Sequence, residues 1–102
     1  MTVKRSPSAL SLAMLRAEGY TAEVVERRHT SRLKTDLFGF IDIVAIRRGE
    51  TLAVQTTDTT NVAARVRKIA EAPLVGAVRE AGWRIVVHGW YPDGRVREVD
   101  CS

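Results

Sequence analysis

The sequence predicts a single α/β domain in which helices flank a central β-sheet. Its 102 residues are enough for one domain with a buried core, and apolar residues make up 45% of the chain. Runs of alternating apolar and polar residues predict strands. Segments with apolar residues three or four positions apart predict helices before and after the strongest of these runs.

The first helix is predicted over residues 7–18, where Ser6 is the N-cap, Pro7 lies in the first turn and Gly19 ends the helix. Alternation over residues 20–28 predicts a strand that is half exposed or near an edge. The segment 27–36 is polar, basic and rich in hydroxyl groups. We expect it to contact phosphates through Arg28, His29, Arg32 and Lys34, although a single loop histidine is more often only exposed.

Residues 38–57 are predicted to form a β-hairpin. Apolar, mainly β-branched residues alternate along both runs, and Gly49 supplies the positive φ that a tight turn requires. A turn centred between Arg48 and Gly49 pairs Asp42 with Gln55 on one face, unless a bulge shifts the register. Thr57 then lies two residues further along that face.

Asp42 and Gln55 form a candidate metal site. A carboxylate and an amide oxygen are hard ligands suited to Mg²⁺ or Mn²⁺, with a main-chain carbonyl near Thr56, water and substrate phosphate completing the coordination. An acid among Ile, Phe and Val residues is costly to bury unless it is paired or binds a metal. The alternatives are that Asp42 caps a turn or pairs with an arginine, and that Gln55 is a core amide.

The second half of the chain is predicted to contain two helical segments and two strands. Residues 58–61 offer N-capping side chains for a helix over 62–71, and Pro73 separates it from a further turn or two over 74–81. Strands are predicted over 83–90 and 96–100, joined by a turn at 92–95. One face of the 62–71 helix carries Asn61, Arg65 and Lys68, which we expect near the hairpin, where they would bind phosphate.

These residues resemble the motif of the PD-(D/E)xK nuclease superfamily, particularly its small Holliday-junction-resolvase-like and phage members. Ile41-Asp42 stands where the family has Pro-Asp, and Gln55-Thr56-Thr57 stands where it has Glu-x-Lys. The resemblance implies a restriction-endonuclease-like core, with a mixed sheet that contains a three-stranded antiparallel meander. It also implies Mg²⁺- or Mn²⁺-dependent hydrolysis of DNA phosphodiester bonds, on branched or junction DNA.

Thr57 occupies the position of the family's lysine. A hydroxyl cannot supply the charge that steadies the attacking water and the transition state, so a cation must come from elsewhere. The candidates are Lys34, Arg65 and Lys68. Family members often add an acidic ligand from the first helix or strand, and of Glu18, Glu23 and Glu26 we prefer Glu23. Asp36 is a further candidate carboxylate, with a turn over residues 35–39 as the alternative.

The composition favours an acidic polymer as partner. The net charge of +4 and the pI near 9.8 suit polyphosphates, nucleic acid first. Cys101 is the only cysteine, which excludes an intrachain disulfide and a cysteine-based zinc site and fits a reducing, cytoplasmic setting. No apolar run is long enough to span a bilayer, so we expect no membrane role.

The sequence therefore predicts a metal-dependent DNA nuclease that acts as a homodimer on two strands or a branched junction. The first alternative is a non-catalytic nucleic-acid-binding module that kept the fold and lost the lysine. The second is a subunit-assembly protein whose last hairpin binds a partner. Trp83, Trp90 and Tyr91 are expected in the core or at an interface, and His88 on an edge strand without a functional role.

Overall fold

The computed structural model describes residues 5–28 and 34–102. Within them lie three helices, α1 (Pro7–Ala17), α2 (Val62–Glu71) and α3 (Val75–Glu80). The same described residues form seven strands: β1 (Thr21–Val24), β2 (Arg27–Arg28), β3 (Lys34–Thr35), β4 (Ile43–Arg47), β5 (Glu50–Asp58), β6 (Arg84–Trp90) and β7 (Val96–Asp100). The predicted helices and four of the five predicted strands are thus confirmed in type and order, and α2 and β7 also in their bounds.

Side-chain caps mark the start of α1 and of a short 3₁₀ turn before α2. Ser6 Oγ accepts a hydrogen bond from the Ala9 N–H at 3.2 Å, and Pro7 occupies the first turn of α1. Before α2, a 3₁₀ turn (Thr59–Asn61) is capped by Asp58, whose Oδ1 accepts from the Thr60 N–H at 3.0 Å. Asn61 precedes α2 without capping it through its side chain.

Five strands form one mixed sheet in the order β1-β4-β5-β6-β7, and β2 pairs with β3 in a separate ribbon. β5 and β6 are parallel because α2 and α3 form the crossover between them, whereas the other neighbours are antiparallel. The β4–β5 hairpin turns between Arg47 and Glu50, which pair across it, and Gly49 has a φ of 74°. The predicted turn is confirmed.

Each face of the sheet covers a separate apolar cluster. Leu52 and Val54 pack with Leu15 of α1 on one side, and Ala53 packs with Ile69 of α2 on the other. This alternation is the one expected for β5. It places Gln55 and Thr57 on the α2 side and Thr56 on the α1 side.

Two predictions about strands are corrected. The strand expected over residues 20–28 breaks after Val24, because the chain leaves the sheet and pairs Arg27 with Thr35 in the ribbon. His88 is not on an edge: β6 lies between β5 and β7, and the imidazole is fully buried. In the part of the chain that the structure describes, no helix has the length and apolar character needed to cross a membrane.

Candidate metal and nucleic-acid site

Asp42 lies just before β4, at the point where β5 continues beyond its neighbour. Residues 55–58 of β5 pair with β6, but the β4 ladder ends at the Ile43–Val54 pair. Asp42 Oδ2 accepts hydrogen bonds from the Thr56 N–H at 2.8 Å and from Gln55 Nε2 at 2.5 Å. The Asp42 carboxylate thus lies beside the part of β5 that has no β4 partner. It meets Gln55 as the hairpin register predicts.

The environment of Asp42 disfavours its charged form. Asp42 is only 4% exposed, and this burial raises the pKa of its carboxyl from 3.8 to about 6. The hydrogen bond from the Thr56 N–H lowers the pKa but does not offset the burial. Negative charge on Asp36 and Glu26 raises the pKa further. A buried acid beside other acids is a site that gains stability from a cation.

Three carboxylates meet at this end of the sheet. Oxygen atoms of Glu26, Asp36 and Asp42 lie within 4.8 Å of one another. β1 runs antiparallel to β4 and ends at Val24, opposite Ile43, so Glu26 just beyond β1 reaches Asp42 just before β4. Asp36 follows β3 directly and completes the group.

Gln55 contributes a buried oxygen without a partner. Its side chain is almost fully buried, and Oε1 is the one buried side-chain polar atom in the described ranges that makes no hydrogen bond. The N–H end of the Gln55 amide faces the Asp42 carboxylate. A cation held by Asp42 would reverse that preference, because it attracts the amide oxygen.

The carboxylates line a cleft of about 540 Å³ that also contains two cations of α2. Lys68 Nζ lies 2.8 Å from Asp36 Oδ2, and Arg65 lies one turn earlier on the same helix. Asn61 and Thr57 line the cleft as well. The structure therefore brings the hairpin residues together with Arg65 and Lys68 of α2 and with Asn61 just before it, the side chains that the sequence predicts on one face.

The opposite wall of the cleft is the first turn of α1, formed by Ser6, Pro7 and Ser8. Ser8 Oγ lies 2.9 Å from Thr56 Oγ1, which in turn lies 3.3 Å from Asp42 Oδ2. Because the ionised carboxylate only accepts, the Thr56 hydroxyl donates to Asp42 and Ser8 donates to Thr56. Thr56 meets Asp42 through its N–H and hydroxyl, whereas the sequence suggested its carbonyl.

Several predicted site residues lie elsewhere. Glu23 is exposed on β1, 3.6 Å from Arg16 across an ion pair, and it is not part of the acidic cluster. Glu18 is the C-cap of α1. Arg28 and Lys34 are main-chain partners in the β2–β3 ribbon. The phosphate contacts predicted for His29 and Arg32 fall outside the described residues.

A network of hydrogen-bonded polar side chains, buried between α1 and the sheet, was not predicted from the sequence. Ser11 Oγ accepts from Trp90 Nε1 at 2.8 Å and lies 2.9 Å from His88 Nδ1, and His88 Nε2 lies 3.1 Å from Glu98 Oε1. Burial lowers the pKa of His88, so the ring is neutral with its proton on Nε2, facing the carboxylate. The sequence signal for this buried network was the pair Ser8 and Ser11, whose hydroxyl groups lie three residues apart in a mostly apolar helix.

The donor set fits a hard divalent cation. Carboxylate and amide oxygens are the ligands that Mg²⁺ and Mn²⁺ prefer, and the unpartnered Gln55 Oε1 is a buried acceptor beside three acids. Within residues 5–28 and 34–102 the cluster contains neither cysteine nor histidine, the ligands that are typical of structural zinc sites.

Comparison with known proteins finds a similar structure but no matching sequence. No protein-family model matches the chain, and no curated protein sequence matches it. The structure is similar to that of Archaeoglobus fulgidus Hjc, a Holliday junction resolvase from an archaeal hyperthermophile, with a TM-score of 0.64 and 22% identity over 93% of this chain and 74% of Hjc. The fold, a mixed five-stranded sheet flanked by helices, is consistent with the predicted restriction-endonuclease-like core.

Proposed function

We propose that the protein is a metal-dependent nuclease of the PD-(D/E)xK type that hydrolyses DNA phosphodiester bonds in branched or junction DNA. The observation that carries this proposal is the convergence of Glu26, Asp36 and Asp42 within 4.8 Å, beside the buried Gln55. The fold likeness to Hjc, whose description is that of a Holliday junction resolvase, supports the choice of substrate. A homodimer would present two such sites to the two strands of a junction.

The metal ligands in this proposal are the three carboxylates and Gln55 Oε1. Mg²⁺ or Mn²⁺, when bound, supplies an activated water and neutralises charge on the phosphate. The Thr56 N–H fixes the Asp42 carboxylate against β5 at 2.8 Å, and the Thr56 hydroxyl adds a second contact to the same oxygen. The most deeply buried of the three carboxylates is thereby held by two contacts from Thr56.

Lys68 takes over the role of the motif lysine. Its Nζ lies inside the cleft, 2.8 Å from Asp36, and its charge is available to stabilise the developing charge on phosphate. Thr57 lines the cleft but carries no charge. Asn61, just before α2, and Arg65, in its first turn, bind the adjacent phosphates of the DNA strand.

The test is calorimetric titration of Mn²⁺ into the parent protein and its Asp42→Asn variant. We expect one saturable site in the parent and binding weakened by at least about tenfold in the variant, since a first ligand is lost. Glu23→Gln is the matched control, because Glu23 is an exposed acid outside the cluster, and it should bind like the parent. Cleavage of linear, single-stranded and four-way-junction DNA, with Mn²⁺ and with EDTA, then identifies the substrate.

The proposal fails if the parent binds no Mn²⁺ or if Asp42→Asn binds it equally well. A non-catalytic nucleic-acid-binding module is then the better description. The observation that favours this second candidate is the hydrogen bond from Gln55 Nε2 to Asp42, which satisfies the carboxylate without a metal. That module would bind DNA with a strong salt dependence and cleave none of the three substrates.

A further inference from the structure

The turn that precedes Asp42 holds an aromatic residue in a strained conformation. Leu37 and Ile41 form an antiparallel bridge, and between them Phe38 and Gly39 have φ angles of 54° and 86°. Two successive positive φ angles are typical of a type I′ turn, whose first central position normally takes Asn, Asp or Gly. Phe38 is the only non-glycine residue with a positive φ in the described segments, and a bulky side chain is disfavoured there.

The ring of Phe38 gains little burial in return for this strain. Phe38 remains 41% exposed, and its ring centroid lies 6.1 Å from that of Trp83 at an interplanar angle of 55°. With Leu74, itself 49% exposed, and residues of α3, the two rings line an open and largely apolar pocket of about 200 Å³. The turn therefore displays the ring at the surface of the molecule.

This aromatic pocket adjoins the metal cleft through a charged groove. Gly39, next to Phe38 in the turn, lines a groove of about 400 Å³ together with Arg67, Lys68 and Glu71. Lys68 lines both this groove and the metal cleft. Among the side chains that line the groove, two cations stand against one carboxylate, and Lys68 also pairs with Asp36 of the metal cleft. The surface thus presents, in succession, metal ligands, cations and an apolar aromatic wall.

We propose that the aromatic pocket receives an unpaired nucleobase, which stacks on Phe38 while the phosphate beside it binds at Arg67 and Lys68. This inference rests on the proposed function and narrows its substrate to DNA that carries an unstacked base next to the cleavage site. A base inside a continuous duplex is already stacked on its neighbours and cannot enter. The apolar lining offers few polar groups to read base edges, so the pocket accepts any base.

The test compares binding to two DNA molecules, a duplex with a single bulged 2-aminopurine and the same duplex without the bulge. The parent should bind the bulged DNA more tightly and quench the fluorescence of 2-aminopurine. Phe38→Leu keeps an apolar side chain and the positive φ but removes the ring. It should weaken binding to the bulged DNA by a factor of about 5 to 150, the equivalent of one base–aromatic stack, and abolish the quenching. Its Mn²⁺ affinity and its affinity for the continuous duplex should stay within about twofold of the parent values.

Two further variants separate stacking from strain and from general surface effects. Phe38→Asn suits the type I′ position, so it should unfold at a higher temperature than the parent and still lose the preference for bulged DNA. Ile46→Asn removes a side chain of similar exposure, 48%, at the opposite end of β4, and should keep that preference.

Equal affinity of parent and Phe38→Leu for the bulged DNA would overturn the inference while leaving the nuclease assignment intact. If the parent sediments as a dimer and the Phe38→Leu variant as a monomer, the pocket binds a second copy of the chain. That result would also overturn the inference. A parent that binds neither Mn²⁺ nor any DNA would overturn the proposed function, and the inference with it.

Discussion

Replacing Asp42 with Asn should stabilise the metal-free fold at neutral pH, even though the change removes the proposed principal ligand. Asn keeps an oxygen that can accept the Thr56 N–H. Its new amide N–H group can donate to Gln55 Oε1 once the Gln55 amide turns over, which satisfies an oxygen that has no partner in the described structure. The variant therefore loses a buried charge and keeps the hydrogen bonds around it.

The size of the effect follows from the pKa of Asp42, which rises from 3.8 to about 6 on folding. This difference of about two units corresponds to roughly 3 kcal/mol at about 1.36 kcal/mol per unit. Because the folded pKa is the higher one, the favourable contribution of the protonated acid is complete below about pH 4 and disappears as the pH rises through about 6. The difference in unfolding free energy between variant and parent should thus grow from near zero at about pH 4 to roughly 3 kcal/mol at about pH 7.5.

Urea denaturation in EDTA at these two pH values measures this difference directly. Glu23→Gln, at an exposed acid, is the control and should follow the parent at both. Excess Mn²⁺ should reduce or reverse this difference in unfolding free energy at neutral pH, because Mn²⁺ binding stabilises only the parent. A variant less stable than the parent at about pH 7.5, or a difference that does not change with pH, would refute the reasoning.

Further substitutions test the other parts of the site. Lys68→Ala should lower the single-turnover cleavage rate about 100-fold with little loss of Mn²⁺ affinity, and an unchanged rate would exclude Lys68 as the replacement cation. Adding Thr57→Lys to that variant restores the motif lysine and should recover at least about tenfold in rate; no recovery would mean that position 57 does not face the phosphate. Ser11→Ala leaves the buried polar nitrogens of His88 and Trp90 without their partner, so it should cost about 1–3 kcal/mol in urea denaturation. An unaltered unfolding midpoint would show that water replaces the hydroxyl.

The elements that local sequence determines were predictable. α2 begins and ends as expected because its apolar period and the polar residues before it are local signals, and β7 follows from the turn at residues 92–95. The approach of Asp42 to Gln55 was predictable for the same reason, since the tight turn at Gly49 sets the hairpin register.

The parts of the site that depend on packing between distant segments were not predictable. Glu26, rather than Glu23, joins the acidic cluster because β1 ends at Val24, and that end is set by pairing with β4. The contact between Lys68 and Asp36 depends on where α2 packs against the sheet. His88 was expected at an edge because the order of the strands depends on a parallel crossover, which leaves no local pattern around His88.

The proposed chemistry is tested most directly by single-turnover cleavage of a four-way DNA junction as a function of Mn²⁺ concentration, with the parent and Asp42→Asn side by side. We expect the rate for the parent to rise and saturate at the Mn²⁺ concentration that also saturates the calorimetric site. The variant should cut at least about 100-fold more slowly at every concentration. Cleavage by Asp42→Asn at the parent rate, or no cleavage by the parent at saturating Mn²⁺, would contradict the assignment of this cleft as a nuclease site.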